Sequence, residues 1–270
     1  MNAVFITFGL IILSILLFLP VYKDRKARFA EFPAQWQDIL MRNVPLYRAL
    51  PDELKMQLHL LVNSFIHRKK FYPCQDLEMT DEIKVTIAGQ ACLLLLNRKT
   101  SEFAKLKSIL VYPAAFIAAH TQVDENGLVS VAEKGLAGES WGNGRIVLSW
   151  DDVKKGAMDI TDGHNVVLHE FAHQLDSEDG STNGAPYLES PNAYKTWAKV
   201  MTKEFAQLQQ NHMHGLKSVM DDYGASEPAE FFAVVTETFF EKPAQLKQKH
   251  PELYQILAAY YHVQPDEWQH

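Results

Sequence analysis

The sequence predicts an α+β fold, and three features predict it. Apolar residues recur at helical spacing ahead of residue 100, short β-like runs cluster between 108 and 150, and helical periodicity returns from about 163 onwards. Helices, then strands, then helices is the order expected of a small sheet with segregated helices rather than of alternating βα units.

In chain order, residues 3 to 22, AVFITFGLIILSILLFLPVY, carry no charge. About 20 apolar helical residues are what a hydrocarbon core of roughly 30 Å requires. Lys23, Arg25, Lys26 and Arg28 follow at once. A cleaved signal peptide would want a basic stretch ahead of the apolar run and a small-x-small site after it, and neither is present. The expectation is a transmembrane helix over 1–22, a basic linker over 23–34 and a single domain over 35–270. The positive-inside bias puts that domain on the cytoplasmic side.

Residues 51–69, PDELKMQLHLLVNSFIHRK, open on a proline and acids, then turn amphipathic, which reads as a helix; another is expected from about Thr80 to Leu96. SILVYPAAFIA and GRIVLSW, separated by turns such as SWGNG, read as strands of a small sheet. Within them IVLSW, 146–150, is expected at a sheet edge, where its backbone would pair an extended peptide, with a plain core strand as the alternative. Helical periodicity then occupies 163–176, 191–213, 226–241 and 251–262.

A chain of 270 residues, 47% hydrophobic and 22% charged, is long enough for one sizeable core. A net charge of -7 argues against nucleic acid as a direct partner. Cys74 and Cys92 form no CxxC pair, so neither a disulfide framework nor a thiolate metal site is indicated.

The chemistry concentrates in VVLHEFAHQLD, residues 166–176. Residues four apart stack on one helical face, so His169 and His173 can address a single ion while Glu170 lies beside it. Catalytic zinc takes three protein ligands and leaves a position for water, from which a nearby carboxylate can take a proton. The bare motif also arises by chance, so a third ligand decides. Asp179 is one candidate, although the tight return that would present it normally uses a glycine where this chain has Asp176. Glu230 is the other, in YGASEPAEFFAVVTETFF (223–240), where Ser226 suits an N-cap and aromatic neighbours make an unpaired carboxylate costly. Glu237, two turns on, is either a ligand or a partner for an imidazole N–H.

HEFAHQLD followed by YGASEPAEFFAVVTETFF resembles the Mlc titration factor A family of zinc peptidases. VYPAAFIAA (111–119) and SWGNGRIVLSWDDV (140–153) resemble that family's segments in the same order, so the similarity spans roughly 35–265. The resemblance implies a zincin-like metallopeptidase fold related to lethal-factor-type protease domains, with an HExxH helix and a small mixed sheet. It implies His169, His173 and Glu230 as ligands of one Zn2+, Glu170 as general base, and Tyr223, seven residues before Glu230, as a catalytic tyrosine. It also implies aminopeptidase activity on peptide substrates and capture of a transcriptional repressor of the Mlc type. Three functions therefore stand: a zinc peptidase, a regulatory binding protein, and a structural zinc protein. His164, His212 and His214 are read as packing or loop residues.

Overall fold

The computed structural model describes residues 18–98, 102–114, 116–123, 129–136, 138–141 and 144–268, with 116–123, 129–136 and 138–141 described as backbone only. Most of the expected membrane span lies outside these residues. Its last five, 18–22, begin a helical stretch that runs to 28. No helix among the described residues is long and apolar enough to cross a membrane. The stretch expected to be a basic linker is thus helical at its start, and it is docked. Asp24 faces His67 at 3.3 Å and Arg68 at 3.5 Å, and Arg28 pairs with the buried Glu102.

Helices α1 (Ala34–Asn43), α2 (Pro45–Ala49) and α3 (Asp52–Arg68) form the front section, and β1 (Lys70–Pro73) leads to α4 (Asp81–Leu93). The local causes are ordinary ones. Asp52 and Glu53 sit in the first turn of α3 and His67 and Arg68 in its last, matching the helix dipole, while the Thr80 hydroxyl accepts from Ile83 N–H at 3.3 Å to cap α4. Strands β2 (Ser108–Tyr112), β3 (Phe116–Val123), β4 (Val129–Leu136), β5 (Gly138–Trp141) and β6 (Arg145–Ser149) follow. They precede α5 (Trp150–Met158), α6 (Val166–Asp176), α7 (Pro191–Met213), α8 (Pro228–Glu241), α9 (Pro243–Lys249) and α10 (Pro251–Tyr261).

The fold is α+β. Strands run in the order β1-β2-β6-β5, with the first three parallel and β5 antiparallel, and β3 and β4 form a separate hairpin. The sheet corrects one expectation. IVLSW is not an edge: Ile146 is in register with Ile109 on one side and Ser140 on the other. Four successive buried positions, Ile146 to Ser149, without the alternation of a half-exposed strand are the mark of an interior strand. In the four-stranded sheet the edges are β1 and β5, and β5 runs alongside α6. Trp150 has already entered α5, which Ser149 caps by accepting from Asp152 N–H at 3.3 Å.

α6 is driven into the core by its apolar face. The Phe171 ring lies 5.7 Å from Phe65 and 4.8 Å from Phe103. Phe103 and its neighbour Glu102 both adopt left-handed backbone, at φ 55 and 56. That conformation costs roughly 1–2 kcal/mol per non-glycine residue. It is held because the Phe103 ring is buried against Phe171 while the Glu102 carboxylate is taken up by Arg28 and the Ser64 hydroxyl.

Gly184 ties the end of α6 to the start of α8. Its N–H donates to the Asp176 carboxylate at 2.8 Å, its carbonyl accepts from the Trp197 indole at 2.9 Å, and its φ is +78. A Cβ here would lie 2.3 Å from the Pro228 carbonyl oxygen. We therefore expect Gly184→Ala to destabilise by roughly 1–3 kcal/mol, from strain at positive φ and displacement of α8. Thermal melts check this, and a midpoint unchanged from wild type would remove Gly184 as a constraint on the two helices.

Candidate metal centre

α6 is capped by Asn165, whose side-chain oxygen accepts from the N–H groups of Val167 and Leu168 at 3.1 and 3.0 Å. One turn inside, helical spacing sets His169 and His173 on the same face with their Nε2 atoms 3.2 Å apart. α8 packs against α6 and delivers Glu230, whose Oε2 lies 2.9 Å from His169 Nε2 and 3.4 Å from His173 Nε2. One donor atom from each of the three lies within 4.8 Å of the others, and no other such group of His, Cys, Asp or Glu occurs among the described residues.

The electrostatics suit a cation. Burial disfavours a charged His169, but hydrogen bonds to Glu230 and Glu237, together with the charges of Glu237 and Glu170, outweigh it and push the imidazole up to about 10. Burial likewise raises Glu230, yet hydrogen bonds and charges from His169 and His173 hold it well below the ordinary carboxylate range. A positive charge between these groups is strongly favoured, whether a proton or a metal ion supplies it. Two imidazole nitrogens and one carboxylate oxygen are a donor set that fits a divalent metal.

Glu237 stands behind the cluster. Its Oε1 is 2.7 Å from His169 Nδ1, and its Oε2 accepts from the backbone N–H of Asn165. It grips the imidazole from the side opposite Glu230. Asp179 is not brought to the cluster. It lies on the turn Ser177–Asp179, where its carboxylate accepts from the N–H and hydroxyl of Ser181, each at 3.0 Å. The reason is Asp176: fully buried and bonded to Gly184 N–H, it continues the helical course instead of making the tight return a glycine would permit.

Glu170 is buried on α6 beside His169, and its charge acts on both His169 and Tyr223. Tyr223 sits on the short turn Asp222–Ala225, half-exposed, with its ring 6.1 Å from the His169 ring. Burial, then the charges of Glu230 and Glu170 and a hydrogen bond to Glu230, push its phenol up to about 12, so the hydroxyl remains a donor. Ser226 does not cap α8. The helix starts at Pro228 after Glu227, and the Ser226 hydroxyl instead donates to the Tyr223 carbonyl at 2.8 Å, closing the turn that carries the tyrosine. Three further histidines stay outside: His164 faces Asp221 at 3.4 Å, His212 faces Asp222 at 3.4 Å, and His214 Nδ1 contacts the Gln210 carbonyl at 2.7 Å.

Sequence reasoning did not find the buried polar cluster around Asn165. The asparagine ahead of α6 is a legible cap, but its partners Gln90 and Glu241 come from distant helices and carry no local signal.

An HExxH helix joined to a carboxylate from a second helix, on an α+β scaffold, defines a centre of the metallopeptidase class. The chain belongs to the glucose-regulated metallo-peptidase M90 family, whose model matches residues 19–262. It is 39% identical over 245 residues to an uncharacterized protein from Synechocystis sp., covering 90% of this chain and 89% of that one. Proteins named Mlc titration factor A from Yersinia pestis and Yersinia pseudotuberculosis are 32% identical over 239 residues, covering 87% of both chains. The family assignment agrees with the resemblance carried by the sequence motifs.

Burial, followed by the charges of Glu237, Asp162 and Asp159, lifts Glu241 to about 9, against the lowering effect of its bond from Asn165. Its folded value lies above the ordinary 4.5, so its contribution to stability is full below about pH 4.5 and is lost as pH rises towards 9. Glu241→Gln has no proton to lose. Melts of the two proteins should diverge between pH 5 and 9 in favour of the variant, by about 2–4 °C for each kcal/mol in a chain of this size. Parallel curves would show that Glu241 does not titrate in that window.

Proposed function

We propose that this chain is a zinc-dependent peptidase, aminopeptidase-like in acting at the N-terminus of short peptides. His169, His173 and Glu230 hold the ion, Glu170 is the general base, and Tyr223 acts on the scissile carbonyl. The observation that carries this reading is the convergence of three donor atoms from α6 and α8 with Glu170 buried beside them. When bound, zinc polarises the scissile carbonyl and makes nearby water more acidic. Glu170 takes one proton from the attacking water and returns it to the departing amine, so its own charge is restored. The Tyr223 hydroxyl donates to the carbonyl oxygen as negative charge develops there. Glu237 accepts from His169 Nδ1 and so commits Nε2 to the ion.

A second reading rests on the name of the Yersinia relatives: capture of a repressor of the Mlc type, with hydrolysis secondary. A binding role makes no use of a carboxylate at position 170. For location, the uncharged run 3–22 and the bases after it support a single-pass anchor with the domain facing the cytoplasm. Phe18, Leu19, Val21 and Tyr22 being exposed is in keeping with that.

Metal analysis paired with an aminopeptidase panel tests the proposal. Glu170→Gln should keep its zinc and lose about 10²-fold or more in kcat. Glu230→Ala should lose zinc, and full occupancy in that variant would end its role as a ligand. Tyr223→Phe should lower kcat with little change in KM, and unchanged kcat would leave Tyr223 as a rim residue. In cell fractionation, deletion of residues 1–22 should move the protein from the membrane pellet to the supernatant.

A further inference from the structure

Behind the candidate centre lies a polar cluster in an otherwise apolar interior. Asn165 is 1% exposed, Gln90 1%, Glu241 2% and Glu237 5%, and together they bridge α4, α6 and α8. Asn165 is the member that touches all the others. Its Oδ1 accepts from the first N–H groups of α6. Its Nδ2 faces Gln90 Oε1 at 2.9 Å, Glu241 Oε1 at 3.0 Å and the Gly156 carbonyl at 3.1 Å. Its backbone N–H donates to Glu237 Oε2, and the other oxygen of that carboxylate holds His169 Nδ1.

We propose that Asn165 is a positioning residue for the metal centre, acting through Glu237 on the orientation of His169. This rests on the reading of His169, His173 and Glu230 as ligands. A helix cap alone needs only one side-chain oxygen, and serine or aspartate supplies it equally well. The amide end does something a cap does not. Its two N–H bonds are shared among three acceptors on different elements and fix residue 165, so its backbone N–H points at Glu237 in one direction only. Glu237 is then held at both oxygens and cannot rotate away from the imidazole. Glu230 and Glu237 lie on the same helix, so the pin also sets the register of α8 against α6, and with it the meeting of all three donor atoms. The space around the pin is tight: a Cβ on Gly156 would lie 2.9 Å from the Asn165 Cα. Glu241, kept protonated by its burial, adds no charge to the cluster.

The test uses the full-length chain with Asn165→Ser, Asn165→Asp and the double variant Asn165→Asp/Glu241→Gln. Serine and aspartate both keep the cap oxygen and remove the amide donor. The double variant reverses the pair, so that the new glutamine amide donates to the new carboxylate. Zinc affinity is read by competition with a chromophoric chelator. The His169 Nδ1–H signal is read by NMR in metal-free protein, and thermal melts in the absence of metal report the fold. Both single variants should bind zinc about 10- to 100-fold more weakly, the span typical of groups that orient metal ligands. They should also lose or shift the Nδ1–H signal, and the double variant should recover part of both. If one single variant fails to fold, the other and the double variant carry the comparison. Zinc affinity and Nδ1–H signal unchanged in the folded single variants, with only the melting temperature lowered, would overturn the proposal and leave Asn165 a simple cap. Wild-type protein that binds no zinc would instead overturn the ligand reading, while the Nδ1–H signal would still report whether Asn165 governs Glu237 and His169.

Discussion

The arrangement depends on one buried carboxylate. Glu237 is nearly inaccessible to water, and removing such a group from solvent costs several kcal/mol unless its oxygens are met by good donors. Both are met from α6, one by the His169 ring and one by the Asn165 backbone N–H. If α8 slid by a turn, or α6 rotated, the carboxylate would be left unpaired in the interior, a loss of roughly 3–5 kcal/mol in comparable cases. The two helices therefore have one register in which the interior is satisfied. In that register Glu230 meets His169 and His173.

The aromatic core holds this polar seam by non-directional packing, which needs help to become specific. Phe171 on α6 is wedged between Phe65 and Phe103, and Phe232 on α8 packs at 5.7 Å from Trp197, so each helix is clamped on its apolar side. Such burial favours compactness but tolerates small shifts of one helix along another. The hydrogen bonds of Asp176 to Gly184, and of Trp197 to Gly184, remove that freedom at the far end of α6. Asn165 and Glu237 remove it at the near end. A site built on two helices fixed at both ends is preorganised in the sense that catalysis and metal selectivity require.

Local chemistry was legible in the sequence, and spatial partnership was not. His169 and His173 could be placed on one face, with Glu170 beside them, because a helix of known period needs no tertiary information. Glu230 could be favoured because aromatic neighbours on both sides make an unpaired carboxylate expensive. For IVLSW the edge expectation fails and its alternative, a core strand, holds, because strand pairing depends on segments elsewhere in the chain. Ser226 looked like the cap of α8 and instead closes the tyrosine turn, since a serine ahead of a proline suits either role. Gln90 and Glu241 were beyond reach. Nothing within several residues of either indicates that both will meet the same asparagine.

The two glutamates that share Asn165 sit a single turn apart on one helix in different hydrogen-bonding surroundings. Glu237 receives donors at both oxygens, one from an imidazole that is itself stabilised in its charged form. Glu241 receives one amide, and its second oxygen has no hydrogen-bond partner among the described residues, so burial dominates and the proton stays. The charge of Glu237 is itself one reason Glu241 remains neutral. The result matters for the centre. Glu170, Glu230 and Glu237 already place three carboxyl groups around the candidate centre, and a charged Glu241 in the same interior would add repulsion without a counter-charge. A protonated Glu241 can hold Asn165 in place while leaving the balance of charge at the candidate centre to the groups that line it.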